Sequence, residues 1–110
     1  MEKFVKGDVV VIPFPFSDLS ASKKRPALVV SNITGDDIIL CQITSVVKND
    51  EYSIYLKNSD FFKGNLKLES RIRPNRLFTA DRSIVAYKAG TLKEEKVKET
   101  EQMLINIFSK

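Results

Sequence analysis

The reactive side chains of this sequence inform as much by their types as by their positions. The 110-residue chain contains no histidine, which removes Ser-His-Asp and Cys-His nucleophilic catalysis, paired-histidine RNA cleavage and most zinc sites. Its four glycines, at positions 7, 35, 64 and 90, are too dispersed for a phosphate-binding loop or a dinucleotide fingerprint. The carboxylates are scattered, with Asp36 and Asp37 among turn residues, so no metal-binding spacing is visible. Cys41 is the one cysteine; it cannot form an internal disulfide and reads as a small buried hydrophobe within Ile38 to Ile43. Chemistry is left to Arg, Lys, Thr, Ser, Tyr, Asn and the carboxylates. The cations are uneven: residues 56–88 hold eight Lys/Arg against three Asp/Glu, whereas residues 1–55 hold six against seven and residues 89–110 four against four. A phosphate-binding face can be built from the middle segment, and on charge alone a solvated strand exterior is an equal reading.

The elements that must position such residues are mostly short strands. Val9 to Phe16, Pro26 to Ser31 and Ile38 to Ser45 are β-branched or apolar runs bounded by turn residues. Pro13 and Pro15 cannot donate to a ladder, so the end of the first run should lie at an edge or leave the sheet. The second and third runs are apolar enough to be covered on both faces. Alternation marks Tyr52 to Leu56, Leu66 to Leu68 and Ser70 to Arg73 as further strands, with Arg76 to Thr79 and Ile84 to Tyr87 completing the set. Residues 17–24 and 57–65 read as loops. From about Lys93 to Phe108, Val97, Thr100, Met103, Leu104, Ile107 and Phe108 fall at helical spacing, with Gly90 closing the preceding strand and Thr91 and Glu94 set as a capping box. The expectation is mainly β: a small barrel or sandwich of about five to seven short strands with one C-terminal α-helix, in a single domain over residues 1–110. No apolar run approaches the roughly 18 residues of a membrane span, and the N-terminus has no signal-peptide pattern, which predicts a cytoplasmic protein.

Several stretches, in order, resemble the MazF/PemK toxin family. They are Lys6-Gly7-Asp8-Val9-Val10-Val11-Ile12, then Lys24-Arg25-Pro26-Ala27-Leu28-Val29-Val30-Ser31, then Ile43-Thr44-Ser45. A later stretch, Ile72-Arg73-Pro74-Asn75-Arg76-Leu77-Phe78-Thr79-Ala80-Asp81, is similar to the family segment ending in a Thr-x-Asp triplet, and Gly90-Thr91-Leu92 before a helix is similar to the family's ending. The resemblance implies an SH3-like barrel and a homodimer. It implies the toxin of a type II toxin-antitoxin system, a sequence-specific endoribonuclease that cuts single-stranded mRNA through the RNA's own 2'-hydroxyl, with no metal and no cofactor. It also implies a cognate antitoxin whose disordered tail occupies the RNA groove.

Carried over by residue, the resemblance makes Arg25 the principal catalytic group, since its planar fork matches phosphate oxygens. Thr44 and Ser45 match the family's strand-end hydroxyl pair, and Lys23, Lys24, Arg73, Asn75 and Phe16 are the RNA-binding candidates, with Phe14, Phe61 and Phe62 divided between base stacking and core. Asn75 stands where some members have an aspartate proposed as general base, and an amide cannot take up a proton at neutral pH. Asp81 is the nearest alternative carboxylate and reads better as a turn cap. Two rival functions remain: a toxin of this fold that poisons gyrase by protein binding, and a non-catalytic nucleic-acid-binding barrel.

Overall fold

The computed structural model describes residues 3–14, 23–46 and 50–110. Seven strands, β1 (Asp8–Phe14), β2 (Lys23–Ser31), β3 (Asp37–Thr44), β4 (Ile54–Leu56), β5 (Phe61–Gly64), β6 (Ser70–Asp81) and β7 (Tyr87–Leu92), precede one helix, α1 (Glu94–Phe108). They form a single antiparallel sheet in the order β4-β6-β3-β2-β1-β7-β5. Its extents of 31 × 31 × 30 Å show that the sheet is not flat, because one flat sheet under one helix would be far thinner in one direction. It curls into a half-barrel, with β4 and β5 as its edges.

Both faces of β1–β3 are apolar, as their near-continuous runs require. On the inner face Val9, Leu28, Cys41, Ile43 and Ile72 meet Ile54 and Leu56 from one edge and Phe61 from the other, and α1 lays Val97, Met103 and Leu104 on them. On the outer face Val10, Ile12, Ala27, Val29, Ile38 and Leu40 are covered by Phe4, Phe78, Ala80 and Val85. Cys41 is fully buried, which pushes its thiol up to about 12. Pro13 lies where β1 has only β2 beside it, since β7 pairs with β1 no further than Val11.

Several elements differ from the pattern expected of the sequence. Lys23 and Lys24 are part of β2. Leu66 to Leu68 is not a strand, whereas Phe61–Gly64, inside the expected loop, is one. Arg73 and Arg76 belong to one strand: β3 pairs Gln42 with Arg73 and Cys41 with Leu77, so residues 74–76 bulge out of register at Pro74, which has no N–H for the ladder. Ile84 closes a 3-10 turn, and the strand after it starts only at Tyr87. Gly90 lies inside β7, because a Cβ there would stand 2.3 Å from the Lys63 carbonyl oxygen of β5. Thr91 therefore caps nothing; its hydroxyl donates to Asp8 Oδ1 at 3.0 Å, and α1 starts after Lys93 without a side-chain cap. Phe108 is 71% exposed, outside the buried stripe that holds Val97, Thr100, Met103 and Leu104.

Candidate nucleic-acid interface

Strand register decides which polar side chains share a face. In β2 and β3, Ala27 opposes Gln42, Leu28 opposes Cys41 and Val29 opposes Leu40. Arg25 and Thr44 each lie two residues beyond the last of these pairs, Ala27–Gln42, and so on the same side of the sheet as that pair. In β3 and β6, Gln42 opposes Arg73 and Thr44 opposes Arg71, and in β4 Tyr55 opposes Arg71. Leu28, Cys41, Ile43, Ile54 and Ile72 face the inner cluster, so alternation turns Arg25, Gln42, Thr44, Arg71, Arg73 and Tyr55 to the outer face. Thr44, Arg71 and Tyr55 thus make one row across three strands, in which opposed residues stand about 5 Å apart at Cβ, and Arg25 lies on the same face, on β2 next to β3.

Each group on this face is held differently. Thr44 is 8% exposed, and its Oγ1 accepts the Val46 N–H at 3.1 Å, which leaves the hydroxyl proton available to another acceptor. Arg25 is half-buried and has no ion-pair partner among the described residues. Tyr55 is 40% exposed; the Arg71 guanidinium lies 5.0 Å and the Lys57 ammonium 5.8 Å from its ring centre. Its phenol donates to Glu69 Oε2 at 2.5 Å, and this bond, together with partial desolvation, raises its pKa and keeps it protonated. Arg73 Nη2 donates to Asp50 Oδ2 at 3.3 Å. Desolvation acts to raise the Asp50 carboxyl, but hydrogen bonds from Ser53 and Tyr52 and the Arg73 charge outweigh it, so Asp50 titrates below the usual carboxylate range. No group of three Cys, Asp or Glu residues gathers as a metal site among the described residues.

The family model of PemK-like, MazF-like toxins of type II toxin-antitoxin systems matches residues 5–108. The chain belongs to this family. Among solved structures, it is similar to MazF from Deinococcus radiodurans, at 20% identity and a TM-score of 0.78 over 100% of both chains. It is similar to an endoribonuclease in complex with its cognate antitoxin from a mycobacterial species, at 14% identity and a TM-score of 0.78, covering 97% of this chain and 96% of that one. It also resembles the D. radiodurans MazE–MazF complex, at 19% identity and a TM-score of 0.76, covering 96% of this chain and 95% of that one. No curated protein matches it in sequence. At these identities the likeness to solved structures speaks for the fold.

In this PemK/MazF chain the expected site residues are dispersed in an orderly way. Arg25, Thr44 and Arg73 come to one face, and alternation along β2 adds Lys23 to it. Lys24 is out of phase with Arg25, on the other side of the strand. Ser45 follows the end of β3, exposed and out of phase with Thr44. Asn75 is exposed in the bulge of β6, two residues from Arg73. Phe16 lies outside the described residues, as does residue 17–22 of the expected first loop, and Phe14 is described only in its backbone. Phe61 packs in the core and Phe62 is exposed on β5. Asp81 caps the 3-10 turn by accepting the Ser83 N–H at 2.8 Å, which holds its carboxyl below the usual range. Sequence reasoning did not single out Arg71, Tyr55 and Gln42. The alternation Arg71-Ile72-Arg73 already puts both arginines on one side of a strand; only the register supplies the Thr44 and Tyr55 neighbours.

Proposed function

We propose that the chain is the toxin of a type II toxin-antitoxin pair and acts as a sequence-specific endoribonuclease on single-stranded mRNA, in one domain spanning residues 1–110. The observation that carries this reading is that Arg25, Thr44, Arg71 and Arg73 lie on one face of the sheet, at the ends of β2 and β3 and the start of β6, in a chain of this family. The reaction moves a bond within the RNA: the 2'-oxygen bonds to its own phosphorus, the P–O5' bond breaks, and a 2',3'-cyclic phosphate and a 5'-hydroxyl remain. The protein neutralises charge on the non-bridging oxygens as the phosphorus crowds. Arg25 does this with two parallel N–H donors and Thr44 with its free hydroxyl proton. Arg73, Arg71 and Lys23 hold the neighbouring phosphates, and Tyr55 offers a ring beside them. Asn75 cannot act as base, so the 2'-hydroxyl proton passes to water and a 5'-oxygen proton returns from it. No step uses a metal or cofactor.

A cognate antitoxin is a second partner, as the antitoxin complexes among the similar solved structures support, and we assign it to the same basic face. A second copy of the chain is the remaining partner. Among the described residues no helix is long and apolar enough to cross a membrane, and we place the reaction in the cytoplasm. Asn75 favours a second reading, a barrel that binds RNA without cutting it. Incubating purified protein with end-labelled single-stranded RNA in EDTA separates the two. Cleavage leaving a cyclic phosphate, abolished by Arg25→Ala, supports the first; binding without cleavage supports the second, and a gyrase complex without cleavage would replace both.

A further inference from the structure

We propose that Asp50 is a positioning residue that fixes the Arg73 guanidinium against the scissile region of the RNA. The inference rests on the reading that the Arg25–Thr44 face binds RNA. Arg73 opposes Gln42 in the sheet, and its side chain is only 12% exposed. Asp50 is the one carboxylate within ion-pair distance of it among the described residues, through Nη2 and Oδ2 at 3.3 Å. The other Asp50 oxygen is fully engaged: Oδ1 accepts the Tyr52 N–H at 2.9 Å, the Ser53 N–H at 2.8 Å and the Ser53 hydroxyl at 3.0 Å. One oxygen therefore locks the carboxylate into the turn before β4, and the other offers a fixed acceptor to Arg73.

A flexible arginine held at one nitrogen keeps its plane, and the rest of its donors point where the anchor leaves them. Arg73 Nε is one of these. It is buried and has no hydrogen-bond partner among the described residues, an arrangement that is costly for a charged group. Nε is closed to a bound strand, so its burial fixes the guanidinium plane, and a phosphate oxygen meets only the part of the side chain that stays exposed. The opposite role, in which Asp50 stands in for the phosphate and swings away when RNA binds, fits poorly with a carboxylate whose second oxygen is tied three ways. The sheet places Arg73 one step along β6 from the Thr44–Arg71–Tyr55 row, so a fixed guanidinium there bears on the same backbone.

The test uses Asp50→Asn, which keeps an Oδ1 acceptor for the turn and removes the charge from the Arg73 side. With the full chain and labelled single-stranded RNA, kcat falls about tenfold while KM stays within about twofold. The same change made on an Arg73→Ala background costs no further activity. Ser53→Ala, which loosens the anchor without touching the pair, gives a smaller kcat loss that also vanishes on Arg73→Ala. Unchanged kcat in Asp50→Asn, an equal loss with Arg73 absent, or faster cleavage would each overturn the proposal. Should the wild-type chain cut no RNA, the functional reading falls, and the anchoring is still read from the Arg73 Nε–H resonance, assigned by its loss in Arg73→Lys. That signal is sharp and slow to exchange in the wild type and averaged in Asp50→Asn; an unaltered signal would overturn it.

Discussion

The outer face of the sheet has two ends built from the same three strands, and they could hardly differ more. Where β2 carries Ala27 and Val29 and β3 carries Ile38 and Leu40, Phe4, Phe78, Ala80 and Val85 close over them. Two to four residues further along the same strands, the positions on that face are Lys23, Arg25, Gln42 and Thr44, and the adjoining strands add Arg71, Arg73 and Tyr55. The division falls at the β6 bulge of residues 74–76. Beyond it β6 presents Phe78 and Ala80 to the outer cluster, and before it Arg71 and Arg73. Burial accounts for the first end. The second is held by polar contacts, Arg73 on Asp50, the Val46 N–H on Thr44 and Arg71 over Tyr55, and its cations suit the polyanion proposed for it.

The comparison predicts opposite consequences of truncation at the two ends. The largest effect is expected for Arg25→Ala, which should lower RNA cleavage about a thousandfold while leaving the urea midpoint close to that of the wild type. Leu40→Ala, at the apolar end, should do the reverse: unfolding free energy drops by about 3 kcal/mol, and the folded fraction keeps its specific activity. If both variants lost activity and stability together, the two ends would not be separable. Next comes Thr44→Val, an isostere without the hydroxyl. Cleavage should slow about tenfold, with about 1 kcal/mol lost from the Val46 hydrogen bond in urea titration.

Asn75→Asp sharpens the account of the polar end. A carboxylate restored beside the groove should raise kcat several-fold near neutral pH, within the range of general-base assistance, and a rate unaltered from pH 6 to 8 would remove Asn75 from the site. The smallest effect belongs to Cys41. Its thiol, raised to about 12 by burial, keeps its proton in the folded chain at pH values where the unfolded chain has lost it. The Cys41 contribution to stability should therefore be level below about pH 9 and decline as pH climbs from there toward the folded value. A thiol reagent at pH 8 should label the chain in urea and leave the native protein untouched.

Much of this was legible in the sequence, and the boundaries of what was not have physical causes. The apolar runs of β2 and β3 announce their burial on both faces, and the helical stripe Val97-Thr100-Leu104 announces α1. Element ends were harder, because they depend on tertiary partners. Gly90 looks like a strand terminator until the Lys63 carbonyl is found pressed against it, and Phe61–Gly64 is too short and polar to read as a strand without β7 beside it. At the interface, the residue types were visible and their assembly was not. Arg25, Thr44 and Arg73 came from the family resemblance. Arg71 and Tyr55 join them through pairings of β3, β4 and β6 that no local pattern encodes, and a bulge at Pro74 sets where the polar end begins.

Single-stranded RNA is proposed to lie on the polar end of the outer face. Titrating the isotope-labelled protein with an RNA oligonucleotide made uncleavable by 2'-deoxy substitution tests it most directly. The largest amide and side-chain shifts should fall on Arg25, Gln42, Thr44, Tyr55, Arg71 and Arg73, with α1 unperturbed. Shifts gathered on α1 or around Phe78 and Val85, with this row silent, would contradict it.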